Sequence, residues 1–124
     1  MASPQRHRDW ARRNWDFYEA SSGGGFRDWS VTIAFYVSLH EVKGFLEDNR
    51  ATVIAAAPRF PETHREIRAV LRVNSDWRGL GTIYNRLLRR SKRTRYYCWE
   101  PTPSELDDAV ALMRSIAAEI ARLS

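Results

Sequence analysis

His64, followed closely by Arg65 and Arg68, is the stretch of this sequence best equipped for chemistry. An imidazole titrates near neutral pH and can take or give a proton there, while a planar guanidinium can hold two phosphate oxygens at once. Histidine with arginine is the pairing that metal-free RNA cleavage requires. A base removes the 2′-hydroxyl proton, the freed oxygen attacks the adjacent phosphorus, and arginine stabilises the charge that builds on the phosphoryl oxygens. His64 also stands at a predicted helix start, an end that favours anions. His40 is the second candidate imidazole, in the middle turns of an apolar segment. The plainer readings are a helix-start residue bonding a loop carbonyl for His64 and a satisfied core histidine for His40.

Other chemistries find less support. His7, His40 and His64, with the Asp and Glu near them, show no compact ligand spacing such as His-x-x-x-His, so neither a metal nor a cofactor is expected. No Ser or Cys occupies a nucleophile-elbow context. Cys98 is the only cysteine, which rules out an intrachain disulfide and fits a reducing cytoplasm. Arg95 nearby could lower the pKa of its thiol, although packing is the plainer role.

The net charge of +5 lies in the second half of the chain. Residues 1–62 carry eight Arg or Lys against eight Asp or Glu, and residues 63–124 carry twelve against seven. The excess concentrates in Arg89, Arg90, Lys92, Arg93 and Arg95, a cluster suited to phosphates or, more plainly, to a helix C-terminus.

The elements that must position these groups are helices. Residues 26–49 put Trp29, Ile33, Tyr36 and His40 along one line and Phe35, Leu39, Val42 and Leu46 along another, so the segment is apolar on most sides and belongs in the middle of a packed domain. Before it, residues 4–19 predict a helix capped by Ser3, with Trp10, Asn14, Phe17 and Tyr18 on one face and Arg6, Arg8, Arg12 and Arg13 opposite. Residues 21–25 link the two; this serine- and glycine-rich run matches neither of the familiar phosphate-binding spacings and reads as a connection.

Beyond Asn49, Pro58 and Pro61 limit any helix to a short piece. A third main helix starts near Glu62 or Thr63 with Ile67, Val70 and Leu71 inward, and ends at Asn74. A fourth carries Leu80, Ile83, Tyr84, Leu87 and Leu88 into the basic cluster. Thr102-Pro103-Ser104-Glu105 is a capping box opening a last helix striped by Leu106, Val110, Met113, Ile116, Ile120 and Leu123. The expectation is one all-α domain over residues 1–124, an up-and-down bundle of four to five helices with the apolar second helix at its centre. No apolar run reaches the roughly 18–20 residues that span a bilayer, and the polar N-terminus does not look secretory, so a soluble cytoplasmic protein is expected.

The order of these signals resembles the HEPN domain (higher eukaryote and prokaryote nucleotide-binding). The likeness rests on Ala34-Phe35-Tyr36 and Leu39-His40, then Thr63-His64, then the helix with Tyr84, then Thr94-Arg95-Tyr96-Tyr97 and the closing helix, and it covers roughly residues 26–122. It implies a four- or five-helix bundle, commonly a homodimer. Many members are metal-independent RNases of toxin–antitoxin or other defence systems; others bind nucleotides or partner nucleotidyltransferases. The family's Arg-then-His signature falls here on Arg59 and His64, with Phe60 and Pro61 between them. The resemblance therefore implies His64, Arg59 and His40 as catalytic candidates, with RNA or nucleotide held by Arg65, Arg68, Arg89, Arg90, Lys92, Arg93, Arg95 and Tyr96. The alternative is a non-catalytic module in which Arg95 and Tyr96 supply phosphate and stacking contacts to a nucleotide, or which pairs with a nucleotidyltransferase or antitoxin. A third reading is a dimerisation domain whose eighteen Arg against two Lys reflect genome composition alone.

Overall fold

A computed structural model describes residues 3–21, 27–97 and 99–124, the side chains of 17–21 apart. Six helices follow one another: α1 (Pro4–Ser21), α2 (Arg27–Asp48), α3 (Arg50–Ala56), α4 (His64–Val73), α5 (Arg78–Tyr96) and α6 (Pro103–Leu123). No strand occurs among the described residues, so the chain is an all-α bundle. The sixth element is the short piece between Asn49 and the prolines, α3, tied down by the buried Val53 and by Arg50 stacked over Phe60. Most of the glycine-rich connection, together with Phe26 and Cys98, lies outside the described residues.

α2 is the centre. It packs against α1, α5 and α6, and α5 in turn carries α4. Thirteen α2 residues are buried, distributed around its circumference, as its nearly uniform apolarity requires. Gly44 is where α1 comes closest: a Cβ there would sit 3.4 Å from the Pro4 carbonyl oxygen and 3.5 Å from His7 Cβ. The stripe residues of α4, α5 and α6 point inward, joined by Ser91 and Ala109, with Ile83, Ile120 and Leu123 only half-buried. Ser3 Oγ accepts from the Arg6 N–H at 3.2 Å, and Thr102 and Glu105 form the reciprocal box that starts α6.

α1 requires one correction. The inward residues are His7 and Ala11, whereas Trp10 is 38% exposed and lies flat against His40, with the Arg13 guanidinium 4.6 Å from its ring. The helix is thus rotated from the aromatic face expected for it, because a broad ring can cover a neighbour from the flank while a small residue fits the close crossing. Phe17 and Tyr18 lie outside the described side chains. Among the described residues, no helix is long and apolar enough to cross a membrane.

A groove of about 550 Å³ runs between α1 and α6 over α2, with Ala11, Trp15, Phe45, Met113 and Ile120 among its walls. Glu41 sits in it, and burial pushes its carboxyl up to about 7. A carboxyl whose folded pKa exceeds its unfolded value favours the fold while protonated, and that stability is lost as pH rises from about 4.5 through about 7. Glu41→Gln is therefore expected to raise the melting temperature at pH 8 by a few degrees, roughly 1–2 kcal/mol once partial solvent screening is allowed for, and to change little at pH 5. Scanning calorimetry at the two pH values checks this.

Candidate functional site

Tyr36, His40 and Lys43, spaced at four and three residues, form a half-buried line along α2. α4 and α5 bring further polar groups towards it. His64 is the first residue of α4, held there by a capping box in which Thr63 Oγ1 accepts from the Glu66 N–H at 3.1 Å and the Glu66 carboxylate accepts from the Thr63 N–H at 3.1 Å. Its Nδ1 lies 2.8 Å from the hydroxyl of Tyr84, and its ring meets Phe35 edge-on at 5.4 Å. Tyr84 is fully buried, and that burial raises its pKa, so the phenol stays protonated. A phenol can accept as well as donate. When Nδ1–H donates to Tyr84, the lone pair of Nε2 is left to act as a base.

The field at His64 is cationic. Burial, then Arg95, Lys92, Lys43 and Arg68, hold its pKa below the ordinary imidazole value, so the ring is neutral at physiological pH. Arg95 donates from Nη1 to the Tyr36 hydroxyl at 3.3 Å and from Nε to the Ser91 carbonyl at 3.4 Å, and its guanidinium lies 5.3 Å from the Tyr96 ring. No carboxylate pairs with it among the described residues. A neutral imidazole ringed by uncompensated cations is suited to a phosphate: the cations attract the anion and the ring can accept a proton.

His40 has a different setting. Its Nδ1 is 3.1 Å from Nδ1 of His7, and the rings stack at 5.4 Å with Trp10 on His40 at 6.0 Å. Burial, then His7 and Lys43, lower the pKa of His40 to about 4. Burial, then Lys43, also lower that of His7, with Glu47 opposing and Arg6 adding to the effect. A folded pKa below the unfolded one makes protonation cost stability, so the fold is expected to weaken as pH falls from about 6.5 towards about 4. Urea midpoints over this range check it: the decline should be shallower in His7→Gln and His40→Gln, which cannot gain the proton.

Arg59 does not turn to His64. It is 72% exposed, and its Nε donates to the Glu66 carboxylate at 2.8 Å; this bond and the two Thr63 bonds draw Glu66 down to about 2. The guanidinium that bears most strongly on His64 is that of Arg95, which lies far along the chain.

Arg65, Arg68 and Arg89 fall together in a groove of about 690 Å³ between α4 and α5, joined by Arg72, Arg78 and Arg86. No carboxylate lines it. Arg68 donates to the Asn85 side-chain oxygen at 3.0 Å while its buried Nε has no partner, and Arg78 donates to the Arg72 carbonyl at 3.0 Å. Arg90, Lys92, Arg93 and Tyr96 lie outside the groove; Arg93 stacks over Trp99 at 4.2 Å. Arg68 links the regions, since it sits one turn after His64 and also acts on it and on Tyr84.

His7, Tyr36, Lys43, Tyr84, Arg72, Arg78 and Arg86 were not singled out from the sequence as site residues. Spacing could have found several: 65, 68 and 72 share one face of α4, and 78, 86 and 89 one face of α5. Among the described residues no three His, Cys, Asp or Glu side chains gather as a metal site. The chain matches no protein-family model, no curated protein and no solved structure.

Proposed function

We propose that this chain is a HEPN-like RNA-binding protein that holds phosphates in the α4–α5 groove and presents His64 and Arg95 to a phosphodiester. The observation that carries the reading is the groove itself, six guanidiniums without one carboxylate, joined through Arg68 to the His64 site. Uncompensated arginines repel one another, and a polyanion relieves that repulsion while releasing its own counterions. At the site, Nε2 of His64 takes the 2′-hydroxyl proton, the oxygen attacks phosphorus, and the 5′-oxygen leaves with a proton from water. Arg95 neutralises the phosphoryl oxygens. In this reading the protein works in the cytoplasm as a homodimer, within a toxin–antitoxin or other defence system.

The test is a titration of labelled RNA at several salt concentrations, with RNA cleavage assayed in EDTA. Affinity should fall steeply with salt, and cleavage should persist in EDTA but vanish in His64→Ala. Loss in Arg95→Ala with retention in Arg59→Ala assigns the phosphate to Arg95; the reverse assigns it to Arg59. Cleavage untouched by His64→Ala removes the catalytic role.

A second reading, a non-catalytic nucleotide-binding partner of a nucleotidyltransferase, is favoured by Arg95 beside Tyr96, which supplies a phosphate contact and a stacking face together. Retention of radiolabelled nucleotide without turnover would support it.

A further inference from the structure

Three large aromatic side chains stand in solvent at one end of the bundle: Trp29 is 63% exposed, Tyr96 68% and Tyr97 76%. Rings of this size ordinarily find cover in a domain with a core of this kind. Thr32 Oγ1 and Thr94 Oγ1 lie 3.1 Å apart, so the first turns of α2 meet the last turns of α5. Trp29 lies one turn before Thr32, and Tyr97 one turn after Thr94. Since α2 leads away from this contact and α5 leads into it, both rings extend past it at the same end. Arg27 donates to the Pro101 carbonyl at 2.6 Å, which holds the α5–α6 link against the start of α2. The same link carries Trp99, under the Arg93 guanidinium.

Cations adjoin the rings. Lys92, Arg93 and Arg95, on the last turns of α5, precede Tyr96 and the cap residue Tyr97, and Arg95 reaches back to Tyr36. Carboxylates at this end include Asp28, in the first turn of α2, and Glu100, 3.7 Å from Arg27 Nη2. Resting on the reading of the chain as an RNA binder, we infer that this aromatic end is a stacking platform for unpaired bases, and that the RNA taken is single-stranded. Unpaired bases offer open faces to the rings while the adjacent cations hold the phosphates, a combination that binds single strands without regard to sequence. A duplex keeps its bases stacked on one another and presents backbone and hydroxyls, which these rings cannot engage.

A second copy of the chain is the competing occupant, and area argues against it. The three exposed rings offer roughly 400 Å² together, about half of the ~800 Å² per partner that a stable interface buries.

The experiment compares fluorescence anisotropy of labelled oligouridine and of a blunt RNA duplex, for the unaltered protein and for the triple variant Trp29→Ala, Tyr96→Ala, Tyr97→Ala. The exposed positions leave the core intact, which circular-dichroism melting verifies. The proposal expects oligouridine to bind more tightly than duplex at equal salt. It expects the triple variant to lose roughly tenfold or more for oligouridine, with an unchanged salt slope and unchanged duplex binding. Equal affinity for both RNAs, or no loss in the variant, overturns the platform while leaving the arginine groove as an RNA site. Absence of binding to either RNA overturns both. A concentration-dependent dimer that the triple variant abolishes, with RNA affinity retained, assigns the rings to a second copy and overturns the proposal.

Discussion

Replacing Arg65, Arg72 and Arg86 together with glutamine should weaken RNA binding roughly a hundredfold near physiological salt and flatten its salt dependence. All three side chains are exposed and line one groove, so the change removes charge without opening the core. Each lost phosphate contact takes about 0.7 from the slope of log affinity against log salt on a single strand, so three should take about 2. The paired measurement matters because a misfolded variant would lose affinity at every salt concentration, whereas a discharged groove loses most at low salt. An unchanged slope would mean that phosphates do not lie in this groove. Arg59→Gln is the control: its guanidinium is already paired with Glu66, and its loss should leave the slope nearly as it was.

Phe35→Ala should lower the melting temperature by more than 10 °C. The ring is fully buried on α2, against Tyr36, Tyr84 and His64, and lies beneath the Arg95 guanidinium. Truncating a buried phenylalanine costs about 3–5 kcal/mol through lost burial and the cavity left behind. That is a large share of the 5–15 kcal/mol that holds a typical domain folded. The variant also removes the edge contact that orients His64, so RNA binding or cleavage should fall with stability even well below the melting point. Phe35→Leu, which keeps most of the volume, should recover most of the stability. A melting temperature within a few degrees of the unaltered protein would mean that the core is not organised around α2. Differential scanning calorimetry of the two variants decides it.

The helices were legible because their faces are written locally. The α6 stripe and its Thr102–Glu105 box can be read within twenty residues of chain, and the all-round apolarity of α2 predicts its central place. The same Thr-x-x-Glu pattern at Thr63–Glu66 was there to be read as a capping box, and it fixes α4 to begin at His64. α1 was read in the wrong rotation because arginines and aromatic residues alternate along it, and either can lie at a flank. The site was less legible because its contacts join distant residues. His64 meets Tyr84 and Arg95 only after α4 and α5 have packed, whereas the family resemblance implies Arg59 as the partner. What takes Arg59 away is Glu66, whose carboxylate the capping box already holds in place. Likewise the arginine faces of α4 and α5 are each visible as a period, but nothing local says that the two faces meet.

His40, Lys43, His64, Arg68, Tyr84, Lys92 and Arg95 all ride on helices, and none belongs to a connecting segment. A surface built this way has little freedom to surrender when a ligand arrives, and none of these groups has to swing into place over it. Capture should therefore proceed in one step, at a rate governed by diffusion and long-range attraction, and release should be quick once ions shield that attraction. Rapid-mixing traces with a single exponential, whose rate rises linearly with RNA concentration and shows no plateau, would be the signature of such a rigid landing surface.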